Sequence, residues 1–168
     1  MAGLALRKER APNGDGARLL GYTTAWEAAV RTASGADLIL LLDVTLTDAE
    51  AALVSAAAAV VVLGTVQAQV LAGARLVLPV TNVAEENGTF INRDLRVQRY
   101  QQARVAPGMA RPAWWIAAQA GSAPVPTTAA EAFAAIASSV PSLAGLTYAE
   151  LGLSGRVARS VGSAPAGA

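Results

Sequence analysis

Cysteine and histidine are both absent from the 168 residues. Their absence removes thiolate and imidazole zinc sites, iron-sulfur ligation, a cysteine nucleophile and any Ser-His triad from the chemistry open to these residues. Lysine is nearly missing as well, Lys8 being its single copy, and no G-x-x-x-x-G-K-[ST] phosphate loop occurs. No disulfide framework can form, which suits a reducing compartment. Only 15% of residues are charged and the net charge is +1, so no global attraction to nucleic acid is expected. The longest apolar run, 51–66, is shorter than the roughly 20 residues of a spanning helix and is broken by Gly64. The first ten residues carry Arg7, Lys8, Glu9 and Arg10 where an export signal would place its apolar centre. The expectations are no export signal, no direct membrane span and no nucleic-acid partner.

What is present is apolar. Hydrophobic residues make up 54% of the chain and mean hydropathy is +0.40, which argues against disorder throughout. A chain of this length can remove roughly 70% of its unfolded surface from water. Surplus apolar surface would then call for a partner.

Helix starts are the clearest local signals. Thr24 with Glu27, Thr47 with Glu50, Thr128 with Glu131 and Thr147 with Glu150 each form an S/T-x-x-E capping box ahead of an Ala-rich segment. A first helix is predicted over 25–33, stopped by Ser34 and Gly35. Residues 37–44 form a continuous aliphatic run, as expected for a strand covered by helices on both faces of a parallel sheet. The unit then repeats, with a helix over 48–57, a strand over 59–63, a short helix over 67–72 and a strand over 75–78 closed by Pro79. Beyond it the turn dipeptide Asn87-Gly88 precedes two segments, 89–92 and 95–101, able to pair as a hairpin. Pro112 suits the first turn of a helix over 113–120, and a linker over 121–126 leads to a helix over 129–137 and a last turn over 148–151.

The predicted fold class is therefore α/β: a Rossmann-like parallel sheet with flanking helices, then a β-hairpin arm and a small C-terminal helical region. The chain divides into an N-terminal extension (1–23), the Rossmann-like half-domain (24–79), the hairpin arm and loop (80–112), C-terminal helices (113–154) and a mobile tail (155–168).

Candidate sites are few, and no catalytic residue or metal ligand set is expected. Gly14-Asp15-Gly16 lacks the third glycine of a dinucleotide fingerprint and is expected to be a surface turn. Asp43 closes a strand where α/β sheets place ligands, and a structural bond to the following helix start at Thr47 or Asp48 is expected. Glu85 and Glu86 are adjacent, so they do not face one another as an acid-base pair requires. A solvated elbow is expected, with one glutamate orienting the loop through backbone amides. Arg93, Arg96, Arg99, Arg104 and Arg111 gather positive charge that can serve a solvated or intrachain role, an acidic partner surface, or an anionic ligand. Trp114 and Trp115 project about 100° apart on a helix, so one is expected to pack inward and the other against a second layer or subunit.

Three stretches taken together resemble a known family. Glu85-Glu86-Asn87-Gly88-Thr89-Phe90-Ile91-Asn92, Arg96-Val97-Gln98-Arg99 and Pro107-Gly108-Met109-Ala110-Arg111-Pro112 with Trp114 resemble the late molybdopterin oxidoreductase domain. The version meant is that of the large peripheral-arm subunit of NADH-quinone oxidoreductase, the complex I family. Arg75, Leu95 and Met109 depart from the family pattern, and Leu95, standing for a glycine, predicts a different hairpin turn. The resemblance implies a structural, non-catalytic C-terminal segment of the peripheral arm, on the cytoplasmic side of the plasma membrane, from a split gene or a truncated reading frame. Its partners would be other peripheral-arm subunits or a separately encoded N-terminal half. No cofactor is expected within the chain, with iron-sulfur clusters elsewhere in the complex. The family loop points to Glu85, Gly88, Thr89 and Asn92 as cofactor-facing positions. Two alternatives stand beside this reading: the C-terminal piece of a molybdopterin enzyme such as a formate dehydrogenase, and a free-standing α/β module binding an anionic ligand.

Overall fold

The computed structural model describes residues 13–23, 25–66 and 72–159. In chain order they form α1 (Gly14–Leu19), α2 (Trp26–Thr32), a 3-10 turn (Ala33–Gly35), β1 (Ile39–Leu42), α3 (Asp48–Ser55), β2 (Val60–Gly64) and β3 (Leu76–Pro79). There follow β4 (Gly88–Ile91), β5 (Arg96–Tyr100), α4 (Ala113–Ala120), α5 (Ala129–Ser139), a 3-10 turn (Pro141–Leu143) and β6 (Arg156–Val157). The α/β class stands, and the chain sorts into two compact units. One unit takes Ala25–Asn87 and Gln101–Thr127. The other gathers Met1–Thr24, Gly88–Tyr100 and Thr128–Ala168.

The first unit is built on a parallel sheet of order β1-β2-β3. Its register pairs Ile39 with Val60, Leu41 with Val62, and Val62 with Val77. Leu41, Val60 and Val62 share one face and pack with Ala33 and Val54 into a core that Ile39, Val44, Leu46 and Ala57 border. The cap of α3 is as the sequence predicts. The Thr47 hydroxyl accepts from the amide of Glu50, and the Glu50 carboxylate accepts from the amide of Thr47 at 2.8 Å. Thr24 and residues 67–71, on which the sequence predicts a further capping box and most of a short helix, lie outside the described residues. The continuous aliphatic run of β1 does not have the cover on both faces that its composition implies: Leu40 and Leu42, on the face opposite Leu41, are exposed. Past β3 the sheet continues as a single parallel bridge between Val80 and Arg111.

The second unit centres on the hairpin, whose Ile91 and Val97 lie in a core. Val97 and Leu151 are fully buried with Ile91, Phe133, Ala137, Val140, Leu143 and Ala158. Burying each large aliphatic stabilises by roughly 1.5–3 kcal/mol. The i, i+4 pair Phe133 and Ala137 supplies the buried stripe of α5, whose start Thr128 caps by accepting the Glu131 amide. Gly14-Asp15-Gly16 is the first turn of α1, not a surface turn, because Asn13 ends the preceding chain in the left-handed region and Gly16 packs tightly against Asn13 and Ile91. The side-chain oxygen of Asn13 then accepts the amide of Ile91 at 2.8 Å. Asn87-Gly88 does not make the hairpin turn but opens β4. The Thr147–Glu150 box closes a turn rather than an α-helix, with the Thr147 amide donating to Glu150 at 3.1 Å.

Within the segment read as a mobile tail, Arg156 and Val157 pair with β5 as β6; Ser160 onward lies outside the described residues. One further expectation fails here. Leu95 keeps the turn a glycine would make, at φ 55°. Asn92 holds that turn by accepting the amides of Asp94 at 2.9 Å and Arg96 at 3.0 Å, and the Leu95 side chain packs on the core to offset its strain.

Two outcomes test this account. Gly152 and Gly155 both have positive φ, but only at Gly155 would a Cβ strike a backbone atom, the Val97 carbonyl oxygen. In urea unfolding Gly152→Ala should cost about 1 kcal/mol of strain alone, and Gly155→Ala more than about 3 kcal/mol, with faster amide exchange across β5 and β6. The Glu50 carboxyl is held below its ordinary value, first by the Thr47 amide and then by the Trp26 indole, which donates at 2.6 Å. The folded-state value is the lower one, so the contact is fully present above the unfolded value of about 4.3 and is lost as pH falls through the lowered value. An NMR titration should show the Trp26 indole proton moving with a midpoint below the ordinary glutamate value, and Glu50→Ala should abolish that step.

Candidate functional site

In the parallel-sheet unit the carboxyl ends of the strands line up as a row of polar residues. Asp43 follows β1 with φ 50°, a left-handed conformation that costs a non-glycine residue about 1–3 kcal/mol. Its amide still continues the ladder by donating to the Leu63 carbonyl at 2.8 Å, so the strain falls where the strand must end. Its carboxylate accepts from the Thr65 hydroxyl at 2.6 Å, across to the end of β2. The expected bond to the following helix start is thus replaced by a bond to the neighbouring strand, because the positive φ turns the side chain sideways. Next along the edge, the Thr81 hydroxyl donates to Glu86 at 2.6 Å and the Thr81 amide donates to the Arg111 carbonyl at 3.1 Å. Two acid–hydroxyl pairs, Asp43 with Thr65 and Glu86 with Thr81, therefore stand along the edge where α/β sheets receive ligands. Carboxylates there suit a ligand's hydroxyl, amino or ring N–H groups better than its phosphates.

Glu85 is not the solvated elbow expected of it. Its side chain is 5% exposed, its carboxylate accepts the Asn82 amide at 3.2 Å, and Arg104 pairs with it at 3.4 Å. The amide contact was legible in the sequence; the burial was not. Around this group the elbow is stitched to the returning chain: the amides of Ala103 and Arg104 both donate to the Ala84 carbonyl, and the Gln102 amide donates to Asn87 at 3.0 Å. Glu85 and Glu86 do different work, as their adjacency predicts, one inward to backbone and Arg104, the other to Thr81.

The other family-loop positions, Gly88, Thr89 and Asn92, lie in the hairpin unit. Gly88 faces the Tyr100 ring across the hairpin, in the space any Cβ would fill, and that ring stacks on Phe90 at 4.9 Å between centroids. Thr89 stands opposite Arg99. Asn92 serves the turn, as above. The arginines are directed mainly to their own chain. Arg93 pairs with Asp94 at 3.9 Å, Arg96 donates to the Ser154 carbonyl, and Arg111 donates to the Ala110 carbonyl. Arg99 donates to the Gly152 carbonyl at 3.1 Å and lies over the Tyr148 ring at 5.8 Å. Burial raises the Tyr148 hydroxyl above its ordinary value, with Arg99 opposing. Trp114 and Trp115 are both half-buried on α4.

Among the described residues no group of His, Cys, Asp and Glu is placed to hold a metal ion, and no helix is long and apolar enough to cross a membrane. Sequence reasoning missed Thr65 and Tyr148. A threonine just after Gly64 at a strand end was the one available sign for the first; the second gave none.

Comparison with known proteins gives the chain a family. The family described as "Molybdopterin oxidoreductase" matches residues 10–121. The chain is similar to the F420-dependent formate dehydrogenase 2 subunit alpha of Methanococcus maripaludis, 39% identical over 88 residues, which are 49% of this chain and 13% of that protein. It is also similar to the putative formate dehydrogenase YrhE of Bacillus subtilis, 51% identical over 43 residues, 26% of this chain and 4% of that protein. The matched stretch is thus a small part of either relative.

The buried carboxylate gives a sharp test. Glu85→Ala leaves the Asn82 amide and Arg104 without their acceptor and should cost about 2–4 kcal/mol in denaturant unfolding. Arg104→Ala removes a side chain 63% exposed and should cost at most about 1 kcal/mol. Hydrogen exchange at Ala103 and Arg104 should rise far more in the first variant than in the second.

Proposed function

Because the chain belongs to the molybdopterin oxidoreductase family, we propose that it is a non-catalytic part of the molybdopterin-binding subunit of a formate dehydrogenase. The likeness to a formate dehydrogenase alpha subunit and to a putative formate dehydrogenase carries this reading. It displaces the complex I segment as the first choice, since both readings use the same hairpin and the same PGMARPAWW stretch but the relatives that match are formate dehydrogenases. A pterin-bound metal supplies the electron-transfer chemistry in such an enzyme. Without cysteine or histidine, these residues offer that metal no thiolate or imidazole. What they offer is the carboxyl edge of the sheet, where Asp43 and Thr65 can meet amino and hydroxyl groups of the pterin or its nucleotide, and a hairpin unit with a packed core of its own. The role is to shape and brace, with its partner the polypeptide that carries the remaining domain and any clusters.

A second reading keeps the chain as a structural segment of the large peripheral-arm subunit of NADH-quinone oxidoreductase, at the cytoplasmic face of the membrane. The Gly88-Thr89-Phe90-Ile91-Asn92 and Arg96-Val97-Gln98-Arg99 series favours it equally.

The native complex, purified through a tag on this chain, separates the two. Stoichiometric molybdenum and formate-dependent reduction of an acceptor dye are expected. A molybdenum-free complex that oxidises NADH with a quinone would reject the formate dehydrogenase reading in favour of the second.

A further inference from the structure

The parallel sheet carries an open face and an open edge on the same strand. Leu40 and Leu42 of β1 are 52% and 55% exposed, Leu38 just ahead of them is 61% exposed, and Leu76 of β3 is 47% exposed. The register places Leu40 beside Val61 and Leu76, and Leu42 beside Leu63 and Leu78, so these side chains share one face. That face is not bare throughout: Leu63 on the central strand is 1% exposed. The opening therefore concentrates on the β1 side and at the start of β3.

The edge tells the same story. The amides of Ile39 and Asp43 donate to β2, at 2.9 Å and 2.8 Å, so the alternation of a strand turns the backbone N–H and C=O groups of Leu40 and Leu42 the other way, to the outer edge. On the far side of the sheet the edge of β3 is met by the Arg111 stretch through the Val80 bridge. Among the described residues β1 has β2 as its strand partner. Parallel sheets occur almost only with both faces covered, and an aliphatic edge strand left open is a template for pairing.

We propose that the β1 edge and the Leu40–Leu42–Leu76 face seat a strand and its following helix from the remainder of a molybdopterin oxidoreductase domain. The strand extends the sheet at β1 and the helix lays an aliphatic stripe over the leucines. The occupant is argued from three observations. The stretch shared with the M. maripaludis relative is 13% of that protein, so a protein of that kind has much further polypeptide to pack. The surface is uncharged and aliphatic, which matches a domain core and not a polar transient contact. Its open side chains and open backbone groups lie on the same two residues, which a strand with its helix satisfies together and a lone helix does not. The proposal rests on family membership and is independent of which of the two oxidoreductases the chain serves.

The test places the photo-crosslinker p-benzoylphenylalanine at position 40 or 42 in the native complex, with exposed Val105 as control position, and maps the adducts by mass spectrometry. The expected adducts fall in an apolar segment of polypeptide that also matches the molybdopterin oxidoreductase family, outside these 168 residues. Leu40→Asp and Leu42→Asp should lower recovery of that polypeptide at least tenfold while leaving the melting temperature of the 168-residue chain unchanged, and Val105→Asp should do neither. Adducts to a second copy of this chain, to its own hairpin unit, to lipid or to an unrelated protein would overturn the proposal, as would yields no higher than at Val105. Expected adducts in a complex free of molybdenum would uphold the proposal and reject only the formate dehydrogenase reading.

Discussion

A carboxylate brought almost wholly out of water must find donors, and Glu85 finds them in the Asn82 amide and the Arg104 guanidinium. Satisfying that one group fixes much else. It draws residues 101–104 back alongside the elbow, where the Ala84 carbonyl takes two amides and Asn87 a third. The outgoing and returning strands are thus brought together just before the hairpin begins at Gly88 and just after it ends at Tyr100. The hairpin itself opens with the pairing of Gly88 and Tyr100.

Local chemistry was readable where a single residue type decides the outcome. The Thr47 and Thr128 caps, the start of α4 after Pro112 and the hairpin strands all come from short-range rules, and they fall within a residue or two of their expected places. What could not be read depends on residues distant in sequence. Nothing in Gly14-Asp15-Gly16 shows that Asn13 will cap Ile91, 78 positions later. Leu95 looked intolerant of a left-handed turn because its packing on the hairpin core, which offsets the strain, is invisible in one dimension. The burial of Glu85 likewise depends on Arg104 returning to it, and the sideways turn of Asp43 on Thr65 lying at the end of the next strand.

The sheet shows a different kind of limit. An unbroken run such as that of residues 37–44 correctly signals a parallel strand, because no polar residue alternates in it. It reports the environment the strand is built for, and the exposure of Leu40 and Leu42 shows that the described residues supply only part of it. The same logic separates function from fold in this family. The residues that shape the carboxyl edge, Asp43, Thr65, Thr81 and Glu86, are ordinary polar types whose value comes from position alone. Composition, by contrast, speaks plainly about what no arrangement of these side chains could ligate.

The pairing of β6 with β5 bears on how the molecule is made. Val97 and Leu151 are sealed only when Ala158 has joined the cluster and Arg156 and Val157 have docked on the hairpin. Among the described residues the strand pairing of the parallel sheet ends at Arg111, and its unit closes at Thr127. During synthesis that unit is complete in the chain while the hairpin still waits on the ribosome for its closing strand, and a stalled or clipped product ending before residue 156 would expose that half-built core to the cell's quality control.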